Sequence, residues 1–265
     1  MIYYDGRLIL IHLAVKYGGD YDRIYEAIKT KEDVPYETAL KTFQSLKCKV
    51  MTILDYDYPA KLKQAFKPPF VLFYYGDISL LDKRIIAAVG SREVNEVGKN
   101  STEAILKDLI PGNVLISGMA RGIDTIAHVS AIKNKAKTIA VLGSGIDYVY
   151  PYENKYLYNL IKKSHLVISE YPGSSVPEQH HFPARNRIVV GLSDCVIVPQ
   201  INDYATGTMV SVNIAVEMGK PVIVAPHPYG TKTINNQIIG EGAIMAVSGK
   251  QIKEELGWKD ENFLK

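Results

Sequence analysis

ISGMARGIDTIAH, residues 116–128, joins the end of an apolar run to the start of a helical pattern through a glycine-bearing turn. Val114, Leu115 and Ile116 form a short apolar run suited to a buried strand. Ser117 to Gly122 make a turn, and Ile123, Ile126, Ala127, Ser130 and Ala131 then recur at helical spacing. A strand that stops at Ser117-Gly118 and restarts as a helix near Gly122 aims unpaired backbone N–H groups, with the partial positive charge of a helix start, into one crevice. A phosphate fits there, and Arg121 supplies a forked, permanently charged donor. The turn alone is equally compatible with a surface arginine beside glycines that the backbone requires.

Working outward, IIAAVG (85–90), NVLIS (113–117), TIAVLG (138–143), LVIS (166–169), CVIVP (195–199) and PVIVAP (221–226) are short, rich in β-branched residues and apolar on both faces. Strands of a covered parallel sheet have this pattern. Helical patterns at Val97–Leu109, Ile123–Asn134, Arg185–Leu192 and Thr208–Met218 alternate with them. The repeat predicts an α/β fold: a doubly wound, mostly parallel, Rossmann-like sheet. Ligands of such sheets bind beyond the carboxyl ends of the strands. The segments to read are therefore Gly90-Ser91-Arg92, Ser117–Gly122, Gly143–Asp147, Glu170–Gly173 and Pro199–Thr208. FPARNRIVVGLS (182–193) adds Phe182, Arg185 and Arg187 near a helix start.

Before Leu54, apolar residues three and four apart, broken at Gly18-Gly19 and Val34-Pro35, predict a small bundle of short helices. Pro59, Pro68 and Pro69 mark the junction, and Val71–Tyr75 reads as a strand. The expected organisation is a helical domain over 1–54, an α/β domain over 55–248 and a tail over 249–265. With 265 residues, 47% hydrophobic and 22% charged, the chain can bury a substantial core. A net charge of +3 means that any basic surface is local. Cys48 and Cys195 lack metal spacing and read as reduced buried thiols. The absence of a basic leader or a membrane-length apolar run predicts a cytoplasmic protein.

Catalytic constellations are scarce. The position after the first parallel strand reads GSREVNEVG (90–98), without the G-x-G-x-x-G of dinucleotide enzymes. Asp124 and His128 share a helix face with no nucleophile placed to complete a triad, so a structural pairing is the simpler reading. Glu170 has no partner carboxylate. Glu178, His180 and His181 resemble a loop more than a metal site. Anion-binding groups abound while catalytic ones do not, and a binding protein without cofactor or enzymatic activity is expected.

The motifs SGMARGIDTIAH (117–128), TIAVLGSGIDYVYPYEN (138–154), ISEYPGSSVPEQHHFPARNRIVVGLSD (168–194), DYPAKL (57–62), PPFVLFYYGD (68–77) and NQIIGEGA (236–243) closely resemble the DNA-processing protein A family, DprA or Smf. The likeness implies an extended Rossmann domain that binds single-stranded DNA, behind an N-terminal domain of sterile-alpha-motif-like or helix-hairpin-helix-like type. It further implies protection of incoming strands in natural transformation, loading of the RecA recombinase and a homodimer, its surface around Ile214, Met218 and Ile238. By motif matching the DNA pocket comprises Arg92, Ser117, Gly118, Arg121, Gly122, Phe182, Arg185 and Arg187. Four guanidiniums on phosphates predict that log affinity falls with log salt at a slope near roughly −3. Departures from the family pattern are Met119 in place of a second glycine, Gln179 and Ala184 where some relatives carry lysine, and the longer loop PQINDYATGT (199–208). The winged-helix domain that many relatives append is not expected, since QIKEELGW (251–258) suffices for one helix only. The alternative is a nucleotide phosphoribohydrolase of the lysine-decarboxylase-like type, marked by P-G-G-x-G-T-x-x-E. Here Gly207-Thr208 matches, but Ser211 stands where that pattern has its catalytic Glu.

Overall fold

The computed structural model describes residues 5–258. One nine-stranded sheet organises them. In chain order the strands are β1 (Lys49–Thr52), β2 (Val71–Gly76), β3 (Ile85–Ala88), β4 (Val114–Ser117), β5 (Lys137–Leu142), β6 (Leu166–Ser169), β7 (Cys195–Val198), β8 (Val222–Val224) and β9 (Ile244–Met245). Their spatial order is β1-β2-β6-β5-β4-β3-β7-β8-β9. From β6 to β9 every pairing is parallel, and β2 joins β6 and β1 antiparallel. Every residue of β3, β4, β6 and β7 is buried, which is why these strands read as unbroken apolar runs.

The helices are α1 (Gly6–Lys16), α2 (Tyr21–Lys29), α3 (Tyr36–Ser45), α4 (Ala60–Lys63), α5 (Glu96–Leu109), α6 (Ile123–Lys133), α7 (Lys155–Ser164), α8 (His181–Leu192), α9 (Gly207–Glu217), α10 (Asn235–Gly240) and α11 (Gly249–Glu255). The chain winds from β3 outward to β6, then returns to the other side of β3 to place β7 and β8. The order therefore reverses between β4, β3 and β7, and the connections leaving β3 and β7 separate there to open a crevice.

The α/β expectation matches this architecture, with two differences at its ends. Residues 49–52 form a strand, not part of a helical bundle: Val50, Met51 and Thr52 are buried and pair antiparallel with Phe73, Leu72 and Val71 of β2, which extends the sheet. Lys49-Val50-Met51-Thr52 holds two apolar residues and opens on an exposed lysine, so it lacks the continuous apolar run by which the equally short β3, β4, β6 and β7 are recognised. At the other end, α11 packs on α5 with Ile252 fully buried beside Ile105 and Leu109. The expected tail thus contributes to the core as far as Trp258, and residues from 259 onward lie outside the described ones. The N-terminal helices also pack directly on the sheet, with Ile11 and Leu13 in one cluster with Phe73 and Val167. Gly19, at φ +82°, abuts the Glu170 carbonyl so closely that a Cβ would overlap it.

Candidate functional site

At the carboxyl ends of β3 and β7 lies a groove of about 970 Å³. The connection after β3 supplies Gly90, Ser91 and Arg92, and the one after β7 supplies Asn202 and Tyr204 to Gly207. Gln200 ties the two together by accepting from the Asn95 amide (3.1 Å) and donating to the Asn202 side chain (2.6 Å). Asn186 of α8 donates to the Gly207 carbonyl at 2.9 Å and fixes α9 against α8.

The floor is built from buried charge. Arg185 projects from the first half of α8 and is 6% exposed. Its Nη1 donates to the Val141 carbonyl at the end of β5, and its Nε to Asn186 Oδ1 at 3.1 Å. Burial lowers the Arg185 pKa and raises that of the facing Asp124, while each group's opposite charge pulls the other back. Gly118 makes this possible, since a Cβ there would overlap both the Arg185 guanidinium and the Asp124 carboxylate.

His128 holds the loop from below. Its Nε2 lies 2.7 Å from the Gly118 carbonyl and its Nδ1 2.7 Å from Thr138 Oγ1. A carbonyl can only accept, so Nε2 carries the proton and Nδ1 accepts from the threonine. Burial pushes the His128 pKa down to about 4, so the ring is neutral. The expected Asp124–His128 pairing is therefore replaced by one histidine serving the loop and one aspartate serving Arg185.

The mouth is aromatic. Phe182 is half-buried in the first turn of α8, one turn earlier than the sequence pattern places the helix start. The Arg92 guanidinium lies 5.7 Å from its ring centroid. Tyr150, 45% exposed, stands 5.4 Å from the same ring at 39°. Tyr150, Asn186, Asn202 and Tyr204 also line the groove; Asn202 and Tyr204 fall in the Pro199–Thr208 segment and Asn186 in the 182–193 helix, whereas Tyr150 lies outside the segments read for function. Tyr150 closes the segment after β5, so carrying the strand-end rule a few residues further would have found it.

The expected pocket residues divide. Arg92, Gly118, Phe182 and Arg185 line the groove. Arg187 does not: its Nη2 donates to both Glu170 oxygens at 2.6 and 2.7 Å, its Nε to the Lys67 carbonyl and its Nη1 to the Ala184 carbonyl. Two positions along a helix turn the side chain by about 200°, so Arg187 faces away from Arg185, toward Lys67 and Glu170. Arg121 is exposed outside the groove and ion-paired with Glu153. The Ser117 hydroxyl donates to the Ala88 carbonyl at 2.6 Å inside the core. Gly122, at φ +77°, caps α6 where a Cβ would strike the Ser91 and Arg92 carbonyls, and the next amide, Ile123, donates to Ser91 O at 3.2 Å. Amides expected to await a phosphate thus partly satisfy the protein's own buried carbonyls.

Glu178, His180 and His181 offer ligand atoms within 4.8 Å of one another. His181 Nδ1, however, accepts the Glu178 amide at 3.2 Å, and its ring stacks on Tyr171 at 4.0 Å. The carboxylates lining the groove among the described residues are Glu93 and Asp124, and Ser211 stands on its α9 wall.

A Rossmann-like sheet with an arginine-bearing, ring-bordered groove at its topological switch defines a class of nucleotide and nucleic-acid binders. The sequence model described as DNA recombination-mediator protein A matches residues 49–257, and the chain belongs to that family. DNA processing protein DprA of Streptococcus pneumoniae is 40% identical over 206 residues, 77% of this chain and 73% of that protein. Its Bacillus subtilis counterpart is 39% identical over 205 residues, 75% of this chain and 68% of that one. The solved Streptococcus pneumoniae DprA superposes with a TM-score of 0.77 at 32% identity, covering 96% of this chain and 94% of the other. Helicobacter pylori DprA, described for its single-stranded DNA binding mode, gives a TM-score of 0.72 at 29% identity, covering 80% and 96%.

Proposed function

We propose that this protein binds single-stranded DNA in the groove between the β3 and β7 connections, protects incoming strands in natural transformation and loads RecA onto them, without cleaving any bond. The observation that carries the reading is Arg92 poised over Phe182, with Tyr150 beside it, above the buried Arg185. A half-open ring pair accepts an unstacked base, and guanidiniums at its edge and floor accept the flanking phosphates. A relative described as binding single strands supports the reading. Groove binding does not need duplex geometry, because the rings engage base faces that a duplex keeps stacked.

The test is fluorescence anisotropy with a labelled thymidine oligomer and its duplex. Tighter binding of the single strand, weakened by Arg92→Glu and by Phe182→Ala, is expected; unchanged affinity in both variants removes the groove from the function. Loading is read as faster RecA filament growth on strands precoated with single-strand-binding protein. Self-association belongs to the same proposal, although Ile238 is 3% exposed and packs in the core, so it is not part of a free surface. The phosphoribohydrolase alternative predicts base release from nucleoside monophosphates; with Ser211 at the position of the glutamate, none is expected.

A further inference from the structure

At the opposite end of the sheet, where β3, β4 and β5 begin, lies a second cleft of about 550 Å³. Its walls carry Lys83, Arg84, Lys135 and Lys137 against the single carboxylate of Asp82. The Lys83 and Lys135 side chains form no hydrogen bond or ion pair among the described residues. Lys137 donates to the Ser164 carbonyl at 3.0 Å, and its charge also helps to lower the Asp77 pKa. Lys133 in the last turn of α6 answers the negative end of that helix. Lys83 and Arg84 enter from a different segment, the connection into β3, so one helix end does not account for the cluster.

An aromatic ring completes it. The Arg84 guanidinium lies 4.7 Å from the ring centroid of Trp258, which is half-buried at the end of the described chain. Unpaired cations in a concavity the size of a nucleotide site, next to a part-open indole, are the elements by which proteins hold single strands without sequence preference.

We infer that this cleft is a second contact for single-stranded nucleic acid, gripping phosphates with Lys83, Lys135 and Lys137 and offering Trp258 to a base. The inference rests on single-stranded DNA being the ligand, but not on the geometry of the first groove. Helix α5, with 14 residues and so about 21 Å long, runs from the groove end to the cleft end. At about 3.4 Å per nucleotide a strand of about twenty spans roughly 68 Å and can occupy both contacts, whereas one of six spans roughly 20 Å, no more than α5 alone, and cannot fill both at once.

Because the chain has one Trp, emission excited at 295 nm reports on the cleft and not on the groove. We expect a twenty-nucleotide thymidine strand to quench Trp258 saturably in the full chain. Lys83→Glu with Lys135→Glu should remove the quench and make the salt slope shallower by about 1.4, two phosphates at 0.7 each. The same pair should leave binding of the six-nucleotide strand unchanged. Arg92→Ala should weaken the short strand while the long strand still quenches at higher concentration. Unquenched emission at saturating anisotropy, a quench indifferent to the lysine changes, or an equal quench by poly-glutamate would each overturn the assignment. Loss of short-strand binding in the lysine pair with unaltered circular dichroism would also overturn it. Failure of the groove reading shows up separately, as short-strand binding indifferent to Arg92.

Discussion

Replacing Arg187 by Ala separates a DNA contact from a structural one. Arg187 and Glu170 are 9% and 5% exposed at their side chains and meet at 2.6 Å. Removing the guanidinium strands a buried carboxylate that has lost both its hydrogen bonds, at a cost of roughly 3–5 kcal/mol. For a chain of this size each kcal/mol moves the melting temperature by about 2–4 °C, so a fall of about 6–20 °C follows. The loss depends on pH in a definite sense. Burial already raises the Glu170 pKa against the pull of Arg187, and without that pull it rises further. A carboxyl whose folded pKa lies above its unfolded value contributes stability that is full below the unfolded value and lost as pH rises through the folded one. The deficit should therefore shrink at pH 5 relative to pH 8. The double change Arg187→Met with Glu170→Leu should recover most of the stability, because a buried pair replaced by apolar side chains is often neutral or better. Thermal and urea denaturation measure the stabilities, and anisotropy at a temperature where the variant is folded measures DNA affinity, expected to be near normal. An unshifted melting curve with affinity lost would refute the reasoning and return Arg187 to the binding site.

Phe182→Ala should weaken single-strand binding by about 1–3 kcal/mol, roughly 5- to 150-fold, and Tyr150→Ala by less. Both losses should shrink on strands with abasic residues; equal losses on normal and abasic strands would make the rings packing only. Two or three guanidiniums in or near the groove, rather than four, revise the salt slope for short strands to roughly −1.4 to −2, and a slope of −3 or steeper would show that Arg187 or further cations take part. His128, with its pKa lowered to about 4 against an ordinary 6.5, contributes stability that is present above about pH 6.5 and lost as pH falls toward 4, about 3 kcal/mol in all. His128→Asn should be less stable at pH 7 and show a flatter acid limb; parallel limbs for both proteins would place the acid sensitivity elsewhere.

The α/β alternation was legible because strands covered on both faces must be apolar throughout, and β3, β4, β6 and β7 are. β1 and β9 were not legible: β1 opens on an exposed lysine and ends on threonine, β9 is two residues long, and each is defined by the neighbour it pairs with and not by an apolar run. The site was half legible. Residue type and the strand-end rule found Arg92, Gly118, Phe182 and Arg185, but direction along a helix cannot be read from type. Arg185 and Arg187 are two positions apart on α8, about 200° around the axis, so one enters the groove and the other the N-terminal interface. Sequence spacing contained that separation; what it lacked was which face the sheet would claim.

The same geometry explains why few of the groove's polar groups are free. Around Gly118 a neutral histidine fixes the carbonyl, an aspartate faces the Arg185 guanidinium, and the Val141 carbonyl takes one of that guanidinium's N–H groups. Each bond holds a charged or polar atom that would otherwise move when a phosphate arrives, so less ordering is left to be done on binding. A guanidinium has five N–H donors, and those of Arg185 not engaged by Val141 and Asn186 are what it can present to a ligand. Among the described residues, exposed Arg92 lies against the Phe182 ring and makes no side-chain hydrogen bond or ion pair, which leaves its fork to a ligand. A strand entering the groove therefore meets an exposed cation at the rim before a buried one at the floor, and truncating Arg92 should slow association more than it speeds release, whereas disturbing the Arg185 floor should do the reverse.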